Sequence, residues 1–147
     1  MALLITSRTA QNVLSAHFQF EHDDTMVPKA GGAAADFGLT NTSATTVVAI
    51  PLPPNSVVVG GAVARRGAFA AAAYGVTVGA ASDADRSLAS SGVQAVGSTV
   101  LVSAGYVNET GENVELTFTA ADACTTGKCI LRVDYIVLDR ANEVQIA

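Results

Sequence analysis

Charge is scarce in this chain: only 14% of its 147 residues are charged, tryptophan is absent, and the only lysines are Lys29 and Lys128. Each shortage excludes something. Nucleic-acid binding draws its affinity from releasing counterions from many phosphates. With a net charge of -5 and no basic cluster larger than the pair Arg65–Arg66, the chain lacks that footprint, and no nucleic-acid partner is expected. No apolar run approaches the roughly 20 residues needed to cross a bilayer, so no membrane partner is expected either. The opening "MALLITSRTAQNVLSAHF" has an apolar patch without a basic region before it, unlike a secretory signal peptide. Synthesis and retention in a cytoplasm follow as the expectation.

Histidine is scarce too, occurring only at His17 and His22. Neither sits in a recognisable nucleophile context, so Ser-His-Asp catalysis is not expected. His17, His22, Asp23 and Asp24 are the one group of ligand-like residue types. On a strand, positions an odd number apart point to opposite faces, which separates the two histidines. The glycines of "VGG" and "GAASDAD" match neither dinucleotide nor P-loop spacing. Asp83 and Asp85 in "SDADR" lack the regular acidic spacing and closing glutamate of an EF-hand; a turn organised by Asp85 and Arg86 is the expectation. No catalytic, cofactor-binding or metal site is expected, and the chain reads as a non-enzyme.

What the sequence has in quantity is β-branched alternation. Segments near Ser15–Glu21, Thr45–Pro51, Ser56–Ala64, Ala72–Gly79, Ser98–Ser103, Val114–Thr119 and Lys128–Asp139 read as strands. Turn signals separate them: "PPN", "GAASDAD", "NETGEN" and "CTTGKC". In "ILRVDYIVL", Leu131, Val133, Tyr135 and Val137 share one face and Arg132 and Asp134 the other. Seven strands without amphipathic helices predict an all-β, single-domain antiparallel β-sandwich, jelly-roll-like, with an N-terminal arm. The expected division is 1–14 as arm or first strand and 15–147 as the sandwich. Residues 26–38 read as a loop, and 82–93 as a segment able to hold one helical turn.

Pro51, Pro53 and Pro54 interrupt the apolar run "TTVVAIPLPPNSVVVGGAV". Proline cannot donate to a ladder, so these residues predict a corner where the chain crosses between sheets. Gly60–Gly61 predicts a bulge or bend in the strand that follows. A four-residue turn between two strands would bring Cys124 and Cys129 within geometric reach of a disulfide. Synthesis in a reducing cytoplasm favours two free thiols instead, and with no second pair of ligands zinc is excluded. Asn41 and Asn108 match N-x-Ser/Thr, but no secretory route is visible.

Half the chain is nominally hydrophobic, much of it alanine. Low charge and small apolar side chains suit a protein packed against partners. Four stretches in order, "DTMVPKAGGAAADFG", "IPLPPNSVVVGGAV", "YGVTVGAASDADRSLASSGVQAVGSTVL" and "GKCILRVDYIVLDRANEVQ", resemble small virion structural proteins of tailed bacteriophages. The resemblance spans about residues 24–145. It implies a β-sandwich that decorates or cements the capsid by binding the lattice of the major capsid protein. It further implies a homo-oligomer, with a trimer the expected form, made in a bacterial host's cytoplasm and placed on the capsid exterior. The alternative is a carbohydrate- or receptor-binding head-fibre or tail-associated module. Against that alternative, Tyr74, Tyr106 and Tyr135 are the only tyrosines available, with no tryptophan, for stacking on sugars. Ser87 stands where an aromatic is more usual in the family, the Cys124–Cys129 pair is not a family feature, and no site residues carry over.

Overall fold

The computed structural model describes residues 8–9, 13–138 and 142–143. Its strands are β1 (Arg8–Thr9), β2 (Leu14–Glu21), β3 (Thr25–Met26), β4 (Ala35–Asp36), β5 (Thr45–Ile50), β6 (Ser56–Gly67), β7 (Tyr74–Ala80), β8 (Asp83–Gly92), β9 (Gly97–Val100), β10 (Val107–Asn108), β11 (Val114–Ala120), β12 (Lys128–Val137) and β13 (Asn142–Glu143). No helix occurs among the described residues. The protein is an all-β antiparallel sandwich, jelly-roll-like in architecture. One sheet runs β10-β6-β12-β2, with β9 also paired to β6; the other runs β5-β11-β7-β8.

Alternation explains the layering. Leu131 and Val133 of β12 are fully buried and Arg132 between them is exposed, as the pattern requires. Val76 and Val78 of β7 and Leu116 and Phe118 of β11 meet them from the other sheet. Each such side chain contributes roughly 1.5–3 kcal/mol by leaving water. Five aromatic rings, Phe20, Phe37, Phe69, Tyr74 and Phe118, fill one end of the core, with the Phe69 and Tyr74 centroids 4.4 Å apart. The Tyr74 hydroxyl donates to Phe37 O at 2.7 Å, so the ring's polar tip is satisfied inside.

The proline corner forms as expected: β5 belongs to one sheet and β6 to the other. Leu52 is buried beneath the corner while Pro51 faces solvent, and Asn55 turns the chain with a positive φ of 59°. The expected bulge also forms. Asp134 pairs with Gly60 and Tyr135 with Val58, leaving Val59 as the extra residue. Beside it, Gly61 has φ of 141°, and a Cβ there would lie 2.1 Å from Arg132 O. Only glycine permits that approach.

Three expectations need correction. Residues 83–92 form the strand β8 rather than a helical turn. Their intrinsic preference is weak, but β7 supplies a ladder from Gly75↔Gly92 to Ala80↔Asp83, and tertiary pairing overrides propensity. Residues 26–38 are not wholly a loop, since Thr25–Met26 pairs with Ala35–Asp36. The strand near Ser98–Ser103 stops at Val100, and the next residues form a seam between the sheets. The Leu101 amide donates to Gly61 O of one sheet at 3.1 Å, and the Val102 amide to Ser87 O of the other at 2.9 Å. Leu101 is therefore drawn into the core, leaving Val100 and Val102 outside. Arg8–Thr9 pairs with Asn142–Glu143; residues 1–7 and 10–12 of the expected arm lie outside the described residues.

Candidate interaction surface

The outer face of the β6 sheet carries an apolar strip along the seam. Val100 pairs with Ala62 on this face and Val107 with Val57. Val100 is 71% exposed and Val102 66%, and the bulge turns Val59 outward as well. Residues 56–64 and 87–108, which build this region, contain no charged side chain. Elsewhere the chain distributes 13 acidic and 8 basic residues. The valines are thus exposed on segments that carry no charge, while β12 sets the Arg132–Asp134 ion pair on the same face beside Ala62 and Gly60, an apolar area with a charged border.

A polar rim borders the strip at the proline-corner end. The Arg86 guanidinium lies 3.7 Å from the Tyr106 ring centroid, a cation–π stack. Its Nη2 donates to Ser82 Oγ at 2.7 Å and its Nη1 to Glu112 Oε2 at 3.3 Å, while Ser82 Oγ donates to the same carboxylate at 2.8 Å. Asp83, not Asp85, is the second acid near Arg86, at 3.9 Å, so the expected Asp85–Arg86 turn is replaced by this network. Beneath the stack, Leu52, Val58, Ala80 and Val114, together with the polar Asn108 and Glu112, line a small pocket of about 30 Å³, with room for about one water.

The other residues singled out by sequence stay apart. His17 is exposed on β2, opposite Arg132, whereas His22 follows the strand, with its Nδ1 3.7 Å from Asp23. Among the described residues no group of three or more His, Cys, Asp or Glu converges on a common point. Cys124 and Cys129 are fully buried free thiols. Burial pushes both thiols up, Cys129 to about 11, so neither is an activated nucleophile. The two sequon asparagines organise turns: Asn41 Nδ2 donates to Thr45 Oγ1, and the buried Asn108 donates to Glu112 O and accepts from Gly111 N and Glu112 N. Ser87 is buried in β8, with its carbonyl in the seam.

Two further carboxylates are structural. Burial pushes Asp36 up, but hydrogen bonds from the Thr40 hydroxyl and the Asn41, Thr40 and Gly38 amides outweigh it and hold Asp36 at about 2. Glu115 is buried on β11 and paired with Lys29 Nζ at 2.7 Å, which anchors the segment after β3 beside β5. Sequence reasoning missed the Arg86–Tyr106 stack and the strip. The signal for the strip was the uncharged span 87–108; nothing local marked the stack.

No family model matches the chain, and no curated protein matches it. Solved structures share its fold. A chain of the cyanophage Pam1 capsid asymmetric unit superposes with a TM-score of 0.63 at 16% identity, covering 93% of this chain and 94% of that one. A chain of the acid-stable capsid of Helicobacter pylori bacteriophage KHP30 gives 0.62 at 17%, over 97% and 100%. A chain of the capsid of Ralstonia phage GP4 gives 0.56 at 15%, over 95% and 93%.

Proposed function

We propose that the chain is a non-catalytic structural protein of a tailed-phage virion that decorates or cements the capsid by binding the major capsid protein lattice. The observation that carries this reading is the uncharged valine strip on β6 and the seam, built on a fold shared nearly end to end with chains of three phage capsids. Val59, Val100 and Val102 supply the apolar centre of the contact, and Arg86, Tyr106 and Glu112 its polar rim. Affinity per copy is modest, and repetition over the lattice multiplies it. The residues 1–14 supply a second contact with a neighbour, and copies associate on the exterior of the shell, around threefold positions in the arrangement that the resemblance suggests. The sugar-binding alternative is weaker, because Tyr106 is the one strongly exposed aromatic among the described residues and Arg86 already covers it.

The test is co-sedimentation with shells of the major capsid protein from the phage that encodes the chain. The parent protein should pellet with the shells, and the double variant Val100→Lys, Val102→Lys should stay in the supernatant while keeping its circular dichroism spectrum. Equal pelleting of both proteins would refute the strip as the contact. Failure of the parent to pellet would refute the capsid reading itself.

A further inference from the structure

The sheet edges are not protected alike. At β5 the Lys29 amide donates to Thr46 O at 2.8 Å, and at β8 the Val102 amide donates to Ser87 O at 2.9 Å. The β9–β10 edge is broken by residues 101–106. β2 is different. It pairs with β12 without interruption from Glu21↔Lys128 to Leu14↔Tyr135; β5 of the opposite sheet comes near it, but no described strand is hydrogen-bonded to its other side. Eight residues of backbone therefore end the sheet with no proline, no bulge and no lysine, the devices that normally blunt such an edge. Its inward row is also incompletely covered. Phe20 is buried, but Leu14, Ala16 and Phe18, which face the same core, are only half-buried.

We propose that β2 pairs edge to edge, antiparallel, with β2 of a second copy, joining two β6 sheets into one across a twofold axis. Charge selects this occupant. Each copy carries a net charge of -5, so two copies repel wherever their acidic residues meet. Residues 14–20 contain no acidic or basic side chain other than His17, and Glu21 at the strand's end is neutralised by Lys128 at 2.5 Å. Self-pairing sets the row Ser15, His17, Gln19 against its own copy, with no carboxylate facing a carboxylate. An isologous contact of this kind closes on itself and links copies two by two, whatever symmetry the capsid imposes. The inference rests on the self-association in the proposed function but uses a face away from the valine strip.

Hydrogen–deuterium exchange of the full chain at low and high concentration tests it. The alternate amides of residues 14–20 that point away from β12 should exchange more slowly at high concentration, by roughly tenfold at ten times the dissociation constant. In the variant His17→Lys, Gln19→Lys, both positions being exposed, that protection should vanish and native mass spectrometry should show the loss of paired copies. If pairing is too tight to dilute, protection at both concentrations that disappears in the lysine variant supports the same conclusion. Two outcomes overturn it: outward-pointing β2 amides that exchange freely at every concentration, or protection of those same amides that persists in the lysine variant, which would mean the chain's own terminal segment covers the edge. Shell co-sedimentation of the lysine variant separates the two proposals. Loss of β2 pairing with normal pelleting leaves the capsid contact standing, and failed pelleting by the parent leaves the pairing result standing.

Discussion

Gly61→Ala should be among the most damaging single methyls that can be added to this protein, and Gly60→Ala, one residue away, among the most harmless. At Gly61 the backbone holds φ at 141°, and an added Cβ would lie 2.1 Å from Arg132 O and 3.0 Å from Leu101 Cδ1. Holding alanine at that positive φ costs about 1–3 kcal/mol as backbone strain. Relieving the Arg132 O clash requires β6 to move about 1 Å from β12 at the residue whose carbonyl also accepts from the Leu101 amide, an overpacking cost of about another 1–3 kcal/mol. The sum, about 2–6 kcal/mol, is a large share of the 5–15 kcal/mol that holds a domain together. At about 2–4 °C per kcal/mol for a chain of this size, the melting temperature should fall by about 10 °C. Gly60 has open space where its Cβ would point, so Gly60→Ala should be neutral or stabilising by up to about 1 kcal/mol through the unfolded chain. Thermal and guanidinium unfolding of the two variants and the parent measure the difference. Equal tolerance of both substitutions would refute the close-approach argument, as would equal damage.

Other expectations are independent of that one. Asp36 has its folded pKa lowered from 3.8 to about 2, so its contribution, at most about 2 kcal/mol, is present above pH 3.8 and lost as pH falls towards 2. Asp36→Ala should therefore destabilise at pH 7 and converge on the parent near pH 2; a gap that stays constant across this range would contradict the assignment. Lys29→Met removes the partner of the buried Glu115 carboxylate and should cost about 1–3 kcal/mol, most of it recovered by adding Glu115→Gln; no recovery in the double variant would place the cost elsewhere. Cys124 and Cys129 should resist iodoacetamide in the folded protein and react fully in denaturant, one label each; a denatured chain that takes up no label would mean a disulfide.

Some of this architecture was legible because the chemistry is local. Prolines at 51, 53 and 54 cannot sit in a ladder, so the crossing between sheets is written into four or five residues. The alternation of Leu131, Arg132 and Val133 announces a half-buried strand in the same way. β8 was not legible, because "DADRSLASSG" has little strand preference of its own and becomes a strand only by lying beside β7, where Gly79 admits the Asp83 carbonyl. The seam was hidden for a related reason. Leu101 and Val102 donate to different sheets because of the spacing between the layers, which no local pattern encodes. In the candidate surface, the lack of charge from Ser87 to Asn108 was visible as composition, but its alignment with the uncharged 56–64 needed the β6–β9 and β6–β10 pairings. The Arg86–Tyr106 stack joins β8 to an unpaired segment and had no precursor in the pattern of either.

A cryo-EM map of the virion that carries this chain tests the central claim most directly. Sandwich-shaped density is expected on the outer surface of the shell, in regular copies, with Val59, Val100 and Val102 facing the major capsid protein and Arg86 and Tyr106 at the margin of the contact. Density confined to a fibre or tail, or a shell-bound sandwich with the valine strip turned to solvent, would contradict it.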